Sequence, residues 1–147
     1  MYIETKPFGT IEINERQIVY FPQGMLGFEA NQRWALLDAS QPPFYWLQSL
    51  DDKNLAFVLI NPKYFRPDFD PGLSEEDRQC LELLADDDLL IFAIVNIPSE
   101  QADMTANLQG PVLINKRLLR GRQTIQTDPR WKIRHRILDE LSARGAS

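Results

Sequence analysis

Cysteine and histidine are nearly missing from this 147-residue sequence, which has one of each, Cys80 and His135. One cysteine excludes a disulfide framework within the chain. One cysteine and one histidine are too few for the usual thiolate and imidazole metal site. Cys80 lies in a helix-like context and reads as a small buried hydrophobe rather than a nucleophile. His135 lies among arginines and reads as a solvated residue on a basic helix rather than a general base. No Ser, His and Asp set stands out. Long apolar runs are scarce too. The longest, Leu89 to Ile97, is far short of the ~18 residues of a membrane span. Residues 1–7 lack the apolar core of a signal peptide, so a reducing cytoplasm is the expected location. Internal repeats and low-complexity segments are also missing. No catalytic residue, metal or cofactor is assigned, and neither a membrane nor a small-molecule substrate is expected.

What remains is the composition of one folded domain, 44% hydrophobic, 10% aromatic and 25% charged. A domain of this length can bury roughly 68–70% of its unfolded surface. Charge is unevenly placed. Residues 1–115 carry 7 Lys+Arg against 18 Asp+Glu, a net −11, while residues 116–147 carry 9 against 3, a net +6. An acidic body suits a basic protein surface better than nucleic acid.

Taken in order, Gly9–Ile13 alternates polar and apolar like a half-buried strand, and Arg16–Phe21 is a second strand, forming a hairpin with it. Pro22 ends it. Gln23-Gly24-Met25-Leu26-Gly27-Phe28-Glu29 is a loop whose glycines allow positive φ. It lacks the Gly-Lys-Ser/Thr ending of a phosphate cradle. Two readings stand for it, an apolar loop tucked into the core or an exposed recognition loop. Trp34–Asp38 is a strand, and Phe44–Leu50 with Leu55–Ile60 makes another hairpin. Lys63–Gly72 is an irregular loop held by its rings.

Ser74 is a helix N-cap with Asp77 three residues on, and Leu81, Leu84 and Cys80 form the apolar face. Asp86-Asp87-Asp88 lacks the spacing of a calcium loop and reads as a solvated turn. Leu89–Ile97 is a central strand. Met104–Gln109 is small, polar and irregular, and reads as a loop pinned against the core. Gly110-Pro111 punctuates it, and Val112-Leu113-Ile114 is a buried strand stopped by Asn115. Gly121–Thr127 alternates weakly, like an edge strand. Trp131–Ala143 reads as an amphipathic helix with Trp131, Leu138 and Leu141 on one face. About eight strands joined by short turns predict a mainly β, antiparallel barrel-like domain with one internal helix and one C-terminal helix. Its body spans about residues 1–127 and its basic C-terminal segment residues 128–147.

Four stretches in this order resemble the flagellar assembly factor FliW family. They are Phe21–Glu29, Pro43–Leu50, Leu55–Pro62 and, most specifically, Met104–Asn115. The chain departs from the family at Leu26, where a proline is usual, and at Gly110, where alanine is common. The resemblance implies an all-β barrel-like protein without catalytic activity. It also implies binding to CsrA, a small dimeric RNA-binding regulator, which relieves repression of flagellin mRNA. Flagellin itself is the second expected partner, and it competes with CsrA.

Two sets of residues are carried forward on that basis. Met104, Thr105, Asn107 and Leu108, with Phe28 and Glu29, are the expected contact patch. Thr105 and Asn107 have an alternative reading, as side chains that bond their own backbone in a structural turn. Glu75, Glu76, Asp86, Asp87 and Asp88 are expected to steer a basic partner. The alternative function is an RNA-binding module. In it Arg120, Arg122, Arg130, Lys132, Arg134 and Arg136 would track phosphates, and Trp131 would stack on a base.

Overall fold

Apolar runs such as Trp34-Ala35-Leu36-Leu37 read as continuous because both faces of their strands are covered. Trp34 and Leu36 face one cluster with Leu47, Leu59, Phe92 and Val112, while Ala35 and Leu37 face another with Ile3 and Ile13. The computed structural model describes residues 1–84 and 88–145, the last two as backbone alone. Its strands are β1 (Tyr2–Thr5), β2 (Gly9–Glu12), β3 (Ile18–Tyr20), β4 (Arg33–Asp38), β5 (Phe44–Ser49), β6 (Ala56–Ile60), β7 (Leu89–Asn96), β8 (Thr105–Asn115), β9 (Arg120–Gln123) and β10 (His135–Arg136). Its two α-helices are α1 (Glu75–Leu81) and α2 (Ile137–Gly145).

Strands β3 to β8 pair antiparallel in sequence order, and β9 returns to pair with both β8 and β3. The result is a closed seven-stranded barrel, which bears out the mainly β, barrel-like domain that the sequence predicts. The closing contact is short, a parallel pairing through Tyr20 opposite Arg120. Beside it, Gly121 has no Cβ for a steric reason. A Cβ there would lie 2.4 Å from the Phe21 ring, so only glycine lets β9 approach. Outside the barrel, the β1–β2 hairpin covers β4. A further cluster, joining Phe65, Phe69, Trp131 and Ile137 to Val95 and Leu108, covers β7 and β8.

The structure corrects several expectations. Gly9–Glu12 does not pair with the 16–21 strand; its partner is β1, and β3 pairs with β4 and β9. Met104–Gln109 is mostly not loop, because Thr105–Asn115 is one eleven-residue strand. Its irregular composition marks a bulge. Phe92 opposes Val112 and Ile94 opposes Asn107, so Leu108–Pro111 stand opposite Ala93 alone. Strand β9 belongs to the barrel, and only the residues after Gln123 have edge character. Leu84 lies outside α1, which ends where Glu82 takes a left-handed φ of 50°, and it is exposed. The C-terminal helix starts at Ile137 rather than Trp131. The preceding residues are held otherwise: the Lys132 carbonyl accepts from Leu108 and Gln109, and His135-Arg136 pairs with β8. Trp131 is therefore in the core and not on a helix face with Leu138 and Leu141.

Candidate functional site

The bulge in β8 is organised by its own side chains. The Gly110 N–H donates to Asn107 Oδ1 at 2.9 Å, so Asn107 bonds its own backbone three residues on. Gln123 donates through Nε2 to the Gly110 carbonyl at 2.9 Å and accepts from the Leu26 N–H at 3.0 Å. Gln123 thus joins the bulge to the Gly24–Glu29 loop. Nothing local in the sequence marks Gln123, since the contact spans 97 residues.

That loop divides the two readings of it between its residues. Met25 is buried, whereas Leu26 and Phe28 are 50% and 40% exposed. Gly24 and Gly27 take φ of +65° and +87°, and a Cβ on Gly24 would meet the Glu29 backbone at 2.6 Å. Phe28 packs edge-on against Phe57 at 5.5 Å, and Glu29 accepts from the Gly27 N–H.

The proposed contact residues are thus split. Asn107 is linked through Gly110 and Gln123 to Leu26, in the loop that carries Phe28 and Glu29. Met104, at the other end of the stretch, lines a different feature, a groove of about 310 Å³. Phe44, Trp46, Val58, Ile97 and Leu138 complete its apolar wall, with Ile97 and Leu138 exposed. Alternation along β5 puts Phe44 and Trp46 on one strand face, but nothing in the sequence shows that Met104 and Leu138 join them. Thr105 is half-buried beside Met104 and pairs with Arg136. Leu108 is fully buried. It supports the patch from beneath rather than lining it.

The acidic candidates are partly neutralised within the molecule. Glu75 and Glu76 stand exposed in the first turn of α1, where carboxylates oppose the helix dipole. Asp77, next to them, is buried and completes a capping box with Ser74. It accepts from Arg122 Nε at 2.7 Å and from the Thr124 hydroxyl at 3.1 Å. Burial pushes the Asp77 carboxyl up, but the bonds from the Ser74 N–H, Thr124 and Arg122 outweigh it and leave it below the usual range. Asp88 is exposed, and Asp86 and Asp87 lie outside the described residues.

The basic segment is not a free phosphate track. Arg122 bridges Asp77, Glu76 and Gln23, and its side chain is 12% exposed. Arg120 reaches Glu82 at 3.2 Å and the Cys80 carbonyl. Arg130 pairs with Asp128, and Arg136 with Asp103 and Asp139. Lys132 and Arg134 remain exposed. Trp131 is buried, with the Arg66 and Arg130 guanidinium groups each 4.8 Å from its ring, and has no face free to stack on a base. His135 is buried, not solvated. Its Nε2 accepts from the Lys132 N–H at 2.8 Å, so its proton sits on Nδ1, facing Glu140 at 3.2 Å. Glu140 also takes Arg66 at 2.7 Å. This network fastens the C-terminal segment to the loop before α1.

Among the described residues, no group of three or more His, Cys, Asp and Glu gathers to hold a metal, and no helix is long and apolar enough to cross a membrane.

Comparisons with known proteins agree along the whole chain. The family described as "FliW protein" matches residues 2–137. A flagellar assembly factor FliW of Treponema denticola is 45% identical over 145 residues, which is 99% of each chain. The one from Leptospira biflexa is 43% identical over 141 residues, covering 95% of this chain and 92% of its own. A solved structure described as "Crystal structure of the flagellar assembly factor FliW" superposes with a TM-score of 0.85 at 36% identity. It covers 93% of this chain and 96% of that one.

Proposed function

This chain belongs to the FliW family of flagellar assembly factors, and from that premise we propose that it is a non-catalytic binding protein that engages CsrA and flagellin in competition. When flagellin is scarce, the protein is free to bind CsrA and relieve its repression of flagellin mRNA. When flagellin accumulates, it displaces CsrA from the protein and repression returns. The setting is the cytoplasm, where a translational regulator and unexported flagellin meet.

The observation that carries this reading is the apolar groove at Met104. A channel floored by Phe44, Trp46 and Val58 and edged by Ile97 and Leu138 fits one face of an amphipathic helix. Flagellin's terminal segments are helices of that kind. Glu75, Glu76 and Asp88 add exposed negative charge that speeds encounter with a basic RNA-binding protein. Phe28 and Glu29, in the loop that Gln123 ties at Leu26 to the β8 bulge, form with Asn107 a second contact region in this proposal. Asp86 and Asp87 extend the acidic set.

The test is isothermal titration of the protein into purified CsrA from the same organism, with and without saturating flagellin. Micromolar or tighter binding that flagellin suppresses supports the proposal. Met104→Ala is expected to weaken flagellin binding at least tenfold, and Phe28→Ala to weaken one of the two complexes. Absence of heat at low salt with both partners would refute it. RNA binding is the weaker reading, because Arg120, Arg122, Arg130 and Arg136 are paired with carboxylates and Trp131 is buried.

A further inference from the structure

The barrel seam opens just past its closing contact. Strand β3 stops at Tyr20, and the chain turns away at Pro22. Its neighbour across the seam runs on beyond β9. Thr124 N–H donates to the Pro111 carbonyl at 3.1 Å and Gln126 N–H to the Gln109 carbonyl at 2.7 Å. Even-numbered residues therefore turn their main chain toward β8, and Ile125 and Thr127 turn theirs away. Among the described residues, the N–H and C=O groups of Ile125 and Thr127 make no hydrogen bond. Both residues are exposed, and Ile125 is 55% accessible.

A groove of about 650 Å³ wraps this edge from both sides of the sheet. Leu26, bonded to Gln123, walls one face, and Gln23, Gly72, Ser74 and Glu76 wall the other, beside Arg122, Thr124 and Gln126. The even-numbered side chains hold the edge in place. Thr124 is bonded to Asp77, and Gln126 Oε1 accepts from the Gly72 N–H at 2.7 Å. The edge is thus extended, anchored and flanked on both faces, which is the shape of a slot for one more strand. Natural edges are usually blunted by lysine, proline or a covering loop. Here the run is Thr124-Ile125-Gln126-Thr127, with no lysine in it and no proline before Pro129. The charge of the lining is one-sided. Asp70, Glu76, Asp77 and Asp128 contribute carboxylates against Arg122, the one cation among the described lining residues; Arg122 holds Asp77 and Glu76, Arg130 beside the groove holds Asp128, and the balance remains negative.

We propose that the edge from Gln123 to Thr127 receives an extended, cationic segment of a partner protein, which adds as a strand to the barrel sheet. Main-chain bonds to Ile125 and Thr127 supply affinity, and Lys or Arg side chains beside Asp70, Glu76 and Asp128 supply selectivity. A second copy of this chain is disfavoured as occupant, because two such acidic grooves would face each other. This surface is distinct from the Met104 groove, though it shares Glu76 and Gln123 with the acidic set and second contact region proposed above.

The test is selection of random 12-residue peptides displayed on phage against the immobilised full-length protein. The expected binders alternate Val, Ile or Thr with other residues and carry Lys or Arg. In nuclear magnetic resonance spectra the best of them, as a synthetic peptide, shifts the Ile125 and Thr127 amides and slows their hydrogen exchange. Thr127→Pro, which removes one donor, and Ile125→Lys, which keeps the backbone and adds a repelling cation, each weaken it at least tenfold. An unchanged melting transition shows that each variant remains folded. The proposal is overturned if the selection yields no binder, if the binders are acidic, or if both variants bind as the parent does. A concentration-dependent dimer lost in Ile125→Lys would also overturn it.

Discussion

Replacing Asp77 tests the view that one buried carboxylate ties α1 to the barrel. Its side chain is 1% exposed and bonds the Ser74 N–H at 2.9 Å, Arg122 at 2.7 Å and Thr124 at 3.1 Å. Losing a helix cap alone costs about 1 kcal/mol. Removing one member of a buried pair costs about 3–5 kcal/mol, because the other charge is left uncompensated. Asp77→Ala is therefore expected near the second figure and Ser74→Ala near the first. In a domain of this size, 1 kcal/mol moves the melting temperature by about 2–4 °C. Asp77→Ala should then lower it by roughly 6–20 °C, well beyond Ser74→Ala. The carboxyl sits below its usual range in the folded protein, so its contribution is present at neutral pH. It fades as pH falls below the unfolded value of about 3.9, through the folded value. Thermal unfolding followed by circular dichroism at pH 7 and near pH 3 reads both effects. Equal losses in Asp77→Ala and Ser74→Ala at pH 7 would refute the argument. So would a gap between parent and Asp77→Asn that stays constant down to pH 3.

Other outcomes follow from the same packing. Gly121→Ala drives a Cβ into the Phe21 ring and should cost about 1–3 kcal/mol; urea unfolding would show it, with partial rescue by Phe21→Leu. Leu108→Ala opens a cavity under the bulge and should cost about 2–5 kcal/mol, read in the same assay, whereas Met104→Ala should cost less and act mainly on binding. Gly24→Ala cannot keep its φ of +65° beside Glu29, so the loop should move; the Phe28 resonances and partner affinity would report it. A single-stranded RNA titrated at low salt should show no salt-steep binding of the kind a phosphate track gives.

What the sequence disclosed was mostly local or two-sided. The Ser74 and Asp77 capping box lies within one turn, and both of its bonds form as expected. The runs Leu55–Ile60 and Leu89–Ile97 were legible as central strands because neighbours cover both faces. Asn107 bonding to its own backbone was legible for the same local reason, although the surrounding segment turned out to be strand. Long-range pairings were not legible. Gly9–Glu12 is equally suited to pair forward or backward, and only the cover it gives to β4 selects β1. The 131–136 segment has helical spacing, but the Lys132 carbonyl and His135 ring satisfy groups on or beside β8, and those tertiary bonds override propensity. The Met104 groove needs four separate elements, so its assembly left no pattern in any one of them.

The single parallel contact between Tyr20 and Arg120 also has a kinetic side. The residues it joins lie about 100 positions apart, and bringing such ends together costs on the order of 4 kcal/mol in chain entropy. Closure is therefore expected late in folding, after the neighbouring antiparallel strands have formed. During synthesis, β3 leaves the ribosome long before β9 exists, and the nascent sheet carries two bare edges until then. The Met104 groove matures later still, since its Leu138 wall belongs to α2. A prematurely terminated chain would thus hold most of the strands but neither a sealed ring nor a complete Met104 groove.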